Sequence, residues 1–447
     1  MIKKVMLVLL VLLIIGFFAF RSTIGPKLPI ASGYAAKKMC SCTFISERGQ
    51  ESIQNEDLGI SPLNLTSTEI DFENKMVTTS IIGMAERTAE YRGRLGCVLL
   101  SGEDDYNIQL DIPSIKPDPT AYWPYGPREI RDAVEGVNYE ALDVAIKNAF
   151  DPSMNIDSIR TRAVVVIYKD TLVGELYANG YGQETELLGW SMTKSITSAL
   201  VGILSKEGRL SVNDKNLFTH WDDGRAKITI NDLLQMQSGL KFDEVYDQIS
   251  DATTMLFMSE DIVSTASYQP LLHKPGTHWS YSSGTSNIIS GLIRSKFKSH
   301  EDYLKFPHEA LFNKIGMHSA HLEIDESGNY IGSSYCYATP RDWAKFGLLY
   351  LNDGIWGDER ILPEGWVDYS RKPAEHSGGI YGGHFWQNHN QASYPDVPED
   401  LFSCNGHEGQ FVFIIPSYDA VVVRMGLSES FDINKFLKEV LDALEPM

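Results

Sequence analysis

The sequence predicts an α+β fold, and three observations carry that prediction. Two strand pairs lie towards the ends of its main part: Ala163–Tyr168 with Leu172–Tyr177, split by Lys169-Asp170, and Gln410–Pro416 with Ala420–Met425, split by Ser417-Tyr418-Asp419. Short β-branched and aromatic runs bounded by polar turn residues are hairpin signals. Between them lies a segment from about Ser191 in which Met192, Ile196, Leu200, Ile203 and Leu204 recur at helical spacing, with Gly208 at the expected stop. Strands at both ends with helices between them make an α+β arrangement.

In chain order, Met1–Lys4 is short and positive, and Val5–Phe20 is sixteen uninterrupted apolar or small residues. At about 1.5 Å per residue that run spans roughly 24 Å, a little short of a hydrocarbon core. It is longer than most signal-peptide cores and lacks a small-x-small cleavage site directly after it. Residues 1–22 are therefore expected to be an uncleaved anchor, with a cleaved signal as the alternative. Lys3 and Lys4 would stay in the cytoplasm and the body would be exported. That makes a single-pass inner-membrane protein with its catalytic part on the periplasmic or extracytoplasmic side.

Residues 23–127 form an N-terminal extension and a Pro-rich linker without a catalytic motif. Lys75–Gly83 and Gly96–Leu100 read as strands, and Met84–Tyr91 as a short helix. Pro113, Pro117, Pro119, Pro124 and Pro127 crowd into fifteen residues, a linker composition. The main domain is expected over 128–447, with a helix at Tyr139–Phe150 and another over Ile228–Met236, ended by Ser238-Gly239-Leu240. Glu244–Ser259 reads as a mixed acidic loop able to cover a site, with Tyr246 and Asp251 inside it. Thr339-Pro340 supplies a cap and a first-turn proline for a helix to about Leu351. Phe431–Leu444 closes the chain as an amphipathic helix.

Composition narrows the function. Hydrophobic content of 43% and charged content of 22% permit a large core. The net charge of −20, from 39 basic and 59 acidic residues, argues against a nucleic-acid partner. No Cys-x-x-Cys or His-Glu-x-x-His is present, so neither a metal nor another cofactor is expected. Five cysteines allow one bridge from Cys40 or Cys42 to Cys97 and another between Cys336 and Cys404 in an oxidising compartment; buried free thiols are the alternative. Oligomeric state is not legible.

The chemistry concentrates in Ser191-x-x-Lys194. A serine hydroxyl needs a base, and a neutral amine one helical turn away can serve. Burial and a positive helix terminus both push a lysine towards neutrality, and the same terminus offers an N–H to an oxyanion. The motif alone is weak, because Ser295-x-x-Lys298 also matches. Two further pieces strengthen it. Tyr281-x-Ser283 lies within His278-Trp-Ser-Tyr-Ser-Ser-Gly284, and a phenol can relay a proton. Gly406-His407-Glu408-Gly409-Gln410 precedes a strand. There Gly409 would permit close approach of a strand edge to substrate, and the Gln410 N–H could complete an oxyanion hole.

The order Ser-x-x-Lys, Tyr-x-Ser, His-x-Gly resembles the penicillin-recognising serine hydrolases related to class C β-lactamases. Gly189-Trp190-Ser191-Met192-Thr193-Lys194-Ser195, Gln237-Ser238-Gly239-Leu240 and Ala338-Thr339-Pro340-Arg341-Asp342-Trp343 look closest to the 6-aminohexanoate-dimer hydrolase and esterase branch, over about residues 138–444. The resemblance implies a β-lactamase/transpeptidase-like fold: a five-stranded antiparallel sheet built from both chain ends, flanked by helices, plus a helical subdomain. It implies an acyl-enzyme on Ser191, with Lys194 and Tyr281 sharing base and acid duties. The Ser191 and Gln410 N–H groups would hold the oxyanion, with Ser283 and His407 aligning substrate. Tyr246 joins the substrate-binding candidates. His407 and Glu408 replace the Lys-Thr of Lys-Thr-Gly, which removes a fixed cation for a β-lactam carboxylate and adds a repelling one. Small esters or amides are therefore the expected substrates. The competing expectation is a penicillin-binding, β-lactam-sensing or D-alanyl-D-alanine peptidase-type protein that acylates slowly.

Overall fold

Two layers of apolar packing, one on each face of a central sheet, organise the body. The computed structural model describes residues 2–101, 110, 112, 115, 118–129, 132–150, 159–428 and 430–447. Helix α1 (Ile2–Thr23) is apolar and long enough to cross a membrane. After a 3₁₀ turn, Gly25–Lys27, the chain enters α2 (Leu28–Phe44). Helix α2 lies across a four-stranded antiparallel sheet in the order β1 (Thr66–Asp71), β2 (Met76–Ile81), β3 (Met84–Tyr91), β4 (Cys97–Leu100). Together they make a lobe.

The expected helix at Met84–Tyr91 is instead strand β3. Its Ala, Glu and Arg residues favour helix locally, but Gly83, at φ +70°, reverses the chain onto β2. The Thr78 and Thr88 hydroxyls then meet across the strands at 2.9 Å. Pairing on both edges outweighs a few tenths of a kcal/mol of propensity.

The body begins with α3 (Tyr139–Asn148), β5 (Thr161–Tyr168) and β6 (Thr171–Tyr177). Helices α4 (Thr193–Lys206), α5 (Asp251–Met258), α6 (Ser283–Arg294) and α7 (Pro340–Leu351) follow. Thr339 caps α7 as its sequence predicts, accepting from the Asp342 N–H. The chain then returns through β7 (Trp386–Gln387), β8 (Phe402–Gly406), β9 (Gln410–Ile415), β10 (Ala420–Gly426) and α8 (Ile433–Leu441). The sheet order is β7-β8-β9-β10-β5-β6, antiparallel throughout. It has six strands where the family resemblance implies five, because the two-residue β7 adds itself to the β8 edge.

Alternation assigns the two faces. Val165, Ile167, Val421 and Val423 join the core beneath α4 and α7, whereas Val164, Val166 and Val422 pack with residues of α3 and α8. Both faces are covered, so β5 and β10 read as nearly unbroken apolar runs. Pro113 and Pro117 of the expected linker lie outside the described residues, while Trp123 nearby is buried in the main core.

Lobe and body meet through buried charge. Lys37 of α2 pairs with Glu323 at 2.7 Å, and Glu323 also accepts from Ser41 Oγ and the Cys97 N–H. Asp57 takes Arg48 and Arg162 at 2.6 and 2.8 Å, with Lys38 at 3.2 Å. Burial alone would raise the Asp57 pKa. Arg162, Lys38 and Arg48 more than reverse it and hold the carboxyl well below the usual range. A disulfide joins Cys40 to Cys97, tying α2 to β4. The second permitted bridge is not formed: Cys336 and Cys404 are buried free thiols, as is Cys42. Cys336 lies in a small three-stranded sheet and Cys404 in the six-stranded one.

Candidate active site

Ser191 sits on a 3₁₀ turn, Trp190–Met192, that leads straight into α4. The chain arrives from Leu187-Leu188, which pairs with Tyr337–Ala338, and the Gly189 N–H bonds the Cys336 carbonyl at 2.9 Å. Gly189 is obligatory, since a Cβ there would stand 2.3 Å from the Trp343 ring. Trp190 then adopts φ +47°, a left-handed conformation that a bulky side chain avoids unless its surroundings hold it. They do so here. The Trp190 indole N–H donates to Glu408 at 3.1 Å, Tyr34 stacks on it at 6.2 Å, and Lys38 lies over the ring at 5.2 Å. Tyr34 and Lys38 come from the lobe, a region whose sequence shows no site.

Lys194 is the second residue of α4 and is 1% exposed. Its Nζ lies 2.9 Å from Ser191 Oγ, 3.0 Å from Ser283 Oγ and 3.0 Å from the Ser333 carbonyl oxygen. No carboxylate is within ion-pair distance of it among the described residues. Burial lowers its pKa to about 8, against a smaller opposing push from Glu244. The partners also decide which proton leaves. Ser333 offers only a carbonyl, and the Ser283 hydroxyl donates to Glu244 at 2.5 Å, so both must accept from Lys194. The lone pair of the neutral amine is left facing Ser191.

Glu244 is the residue that sequence reasoning missed. Besides the Ser283 hydroxyl, it accepts the Ser283 backbone N–H at 2.7 Å and the Tyr246 hydroxyl at 2.5 Å. A carboxylate is favoured at this place because Ser283 opens α6, whose free N–H groups point at it. The only available sequence signal was Glu244-x-Tyr246 inside the acidic stretch. The expected loop is shorter than 244–259, because Ser250 and Thr253 form a capping box that starts α5 at Asp251. Asp251 itself faces Lys241 and the Asp243 N–H.

Tyr281 is walled by Tyr381 and Trp386 at 5.7 and 5.4 Å, with Lys194 Nζ 4.8 Å above its ring. Burial raises its pKa well beyond the ordinary phenol range and Glu244 adds to this, while Ser191 opposes both. Tyr281 is therefore a phenol, not a phenolate, at neutral pH. His384 braces the helix from behind: its ring bonds the Lys194 carbonyl at 3.1 Å and Ser286 at 3.2 Å, and burial lowers its pKa to about 3.

The Gly406–Gln410 turn packs against the Ser191 turn. His407 stands between Tyr246, stacked at 5.4 Å, and Trp190 at 5.7 Å. Glu408, by bonding the Trp190 indole, directs its carboxylate towards the lobe crevice that Lys38, Arg48 and Arg162 line. The close approach that Gly409 permits, at φ +79°, is to Arg424, whose guanidinium donates to the Gly409 carbonyl at 2.7 Å. The Gln410 amide braces the same turn, donating to the Gly426 carbonyl at 2.8 Å. The rival Ser295 ends α6 and bonds the Leu292 carbonyl. Among the described residues it belongs to no comparable cluster.

The β-lactamase family profile matches residues 146–430, more than half of the chain, so the protein belongs to that family, whose members share this fold. The 6-aminohexanoate-dimer hydrolase of Paenarthrobacter ureafaciens is 22% identical over 313 residues, covering 64% of this chain and 77% of its own. A solved Bacillus anthracis structure whose name proposes the same activity superposes with a TM-score of 0.56 at 22% identity, covering 63% and 78% of the two chains. EstCE1, a hydrolase with promiscuous acyltransferase activity, gives 0.54 at 13% identity, covering 68% and 98%. At these identities the superpositions speak for the fold alone. Family and relatives together make this chain a hydrolase.

Proposed function

We propose that the protein is a serine hydrolase that cleaves small carboxylic esters or amides through an acyl-enzyme on Ser191. The observation that carries this reading is the Lys194 amine, 2.9 Å from Ser191 Oγ and lowered to a pKa of about 8. In the first half-reaction Lys194 takes the Ser191 proton as Oγ attacks the substrate carbonyl. The oxyanion rests on the Ser191 and Gln410 N–H groups. Tyr281, held protonated, passes its proton to the leaving oxygen or nitrogen and is reprotonated through Lys194. In the second half Lys194, neutral again, takes a proton from a water as its oxygen adds to the acyl carbon, and returns that proton to Ser191 Oγ as the ester bond to it breaks. Ser283 orients Lys194, while Tyr246 and His407 form the aromatic side of the cleft. The 6-aminohexanoate-dimer hydrolase among the relatives supports small esters or amides as the substrate class.

We also read residues 1–22 as a membrane anchor, 23–127 as the extension and 128–447 as the catalytic domain. The Cys40–Cys97 bridge supports an exported body.

A panel of chromogenic esters, amides and nitrocefin on the detergent-solubilised chain, with a fluorophosphonate probe read by intact mass, tests the reading. Ester turnover and a single adduct on Ser191 are expected. The ester kcat/KM should rise with pH through about 8, as Lys194 loses its proton, without a falling limb near neutrality. An adduct that persists on an ester substrate would instead support the slow acylator, and labelling retained in Ser191→Ala would refute the nucleophile.

A further inference from the structure

The lobe carries an apolar rim that is exposed to water and lies beside the place where α1 leaves it. Ile24 (49% exposed), Leu65 (50%), Ile60 (52%) and Ile82 (69%) lie there with Met84. Their grouping follows from the backbone. Thr66 pairs with Ile81, so Leu65 adjoins Ile82, and the Asn64 N–H bonds the Ile60 carbonyl at 2.9 Å. The rim is continuous with α1 itself, since Phe20 packs with Leu28, Leu63, Ile81 and Ala85. Ile82 holds φ +51° at the tip of the β2–β3 turn. A β-branched residue is disfavoured in that conformation, and water rewards neither its side chain nor its backbone.

We propose that this rim rests on a phospholipid bilayer, docking the lobe flat against the membrane beside α1. The inference rests on the reading of α1 as an anchor and goes beyond it. An anchor alone would leave the body free to swing, whereas here a single 3₁₀ turn, Gly25–Lys27, with right-handed helical backbone at Ile24, Lys27 and Leu28, leads α1 directly into α2. Arg21 and Lys27 are exposed at the same level, where they suit anionic headgroups. Apolar side chains with two basic ones beside them, on a surface continuous with a spanning helix, fit an interface between water and lipid. The docking has a consequence for the site. Tyr34 lies ten residues past Ile24, about 15 Å along the helix, and stacks on Trp190 beside the nucleophile. The cleft would be held at a fixed short height above the membrane.

Nitroxide labels on the full chain, reconstituted in liposomes of mixed anionic and zwitterionic phospholipid, test the docking. The label sites are Leu65→Cys and Ile82→Cys on the rim, Leu12→Cys within α1, and Val144→Cys as an exposed apolar control on α3. Fluorophosphonate labelling of each variant verifies its fold, and the unsubstituted chain gives the background of its buried native thiols. Collision rates with oxygen, which dissolves in lipid, and with a water-soluble nickel complex are compared. A severalfold higher oxygen-to-nickel ratio at 65 and 82 than at 144 is expected. If 12 lies in lipid while 65 and 82 match 144, the docking is wrong and the anchor stands. If 12 is also open to nickel, the anchor reading fails and this proposal with it. If 65 and 82 are shielded from both reagents and show spin–spin broadening that vanishes on dilution in lipid, a second copy covers the rim, which also overturns the proposal.

Discussion

Lys37 at the lobe–body boundary and Lys194 in the proposed active site are each 1% exposed, yet their surroundings differ in kind. Lys37 meets the Glu323 carboxylate at 2.7 Å and the Cys97 carbonyl at 2.6 Å, so its charge is balanced where it lies. Lys194 meets two hydroxyls and a carbonyl, and the nearest acid, Glu244, reaches it only through Ser283. Burial without a counter-charge makes the amine acidic enough to lose its proton near pH 8. Burying a lysine is therefore not what makes a base. The base arises where desolvation is left uncompensated and the lone pair is aimed.

The largest effects test the catalytic side. Ser191→Ala should remove ester turnover by at least about a thousandfold, because the other hydroxyl beside Lys194 among the described residues, that of Ser283, is committed to Glu244. Ser295→Ala, at the rival motif, should leave turnover unchanged. The comparison itself is tested by exchanging each lysine for methionine. Lys194→Met should abolish turnover to a similar degree and leave the thermal midpoint unchanged or higher, since it deletes a buried amine that has no counter-charge. Lys37→Met should do the reverse. Leaving Glu323 buried and unpaired costs about 3–5 kcal/mol, seen as a clearly lowered midpoint, while the protein that remains folded stays active. If both variants lost stability equally, the distinction between balanced and unbalanced burial would be wrong.

A smaller effect sharpens the role of Glu244. Its charge raises the pKa of both Lys194 and Tyr281. In Glu244→Gln the amine should lose its proton more easily, so the acid limb of the kcat/KM profile should move to lower pH. Maximal turnover should fall because glutamine has one accepting oxygen in place of two, so either the Ser283 hydroxyl or its N–H loses its acceptor. A limb that moved upward, or not at all, would remove Glu244 from the network.

What the sequence made legible follows from how far each feature depends on its own neighbours. Ser191 and Lys194 share a helix face, and the apolar period of Met192, Ile196 and Leu200 marks that helix without outside help. The hairpins at 163–177 and 410–425 carry their own turn residues. Glu244 arrives from 53 positions away (244 − 191) and Tyr34 from 157 (191 − 34), brought by packing that no local period records. Strand β3 was misread as a helix for the same reason, since its residues prefer helix and only its partners make it a strand. The close approach expected at Gly409 was to substrate, whereas the neighbour the structure places there is Arg424, which a linear motif does not name.

The smallest expected effect lies where the two regions touch. Tyr34, from the lobe, stacks at 6.2 Å and 14° on Trp190, whose left-handed backbone immediately precedes Ser191 and so orients the Ser191 N–H. An aromatic pair of this kind contributes about 0.5–1.5 kcal/mol. Tyr34→Ala should therefore let the turn relax and lower kcat by roughly two- to tenfold. KM for a small ester should hardly move, because the lost contact supports the oxyanion donor and not the bound substrate. Steady-state kinetics on p-nitrophenyl acetate separates the two parameters. A change in KM alone would make Tyr34 a wall of the substrate cleft, and no change in either would make the lobe's contact with Trp190 purely a matter of stability.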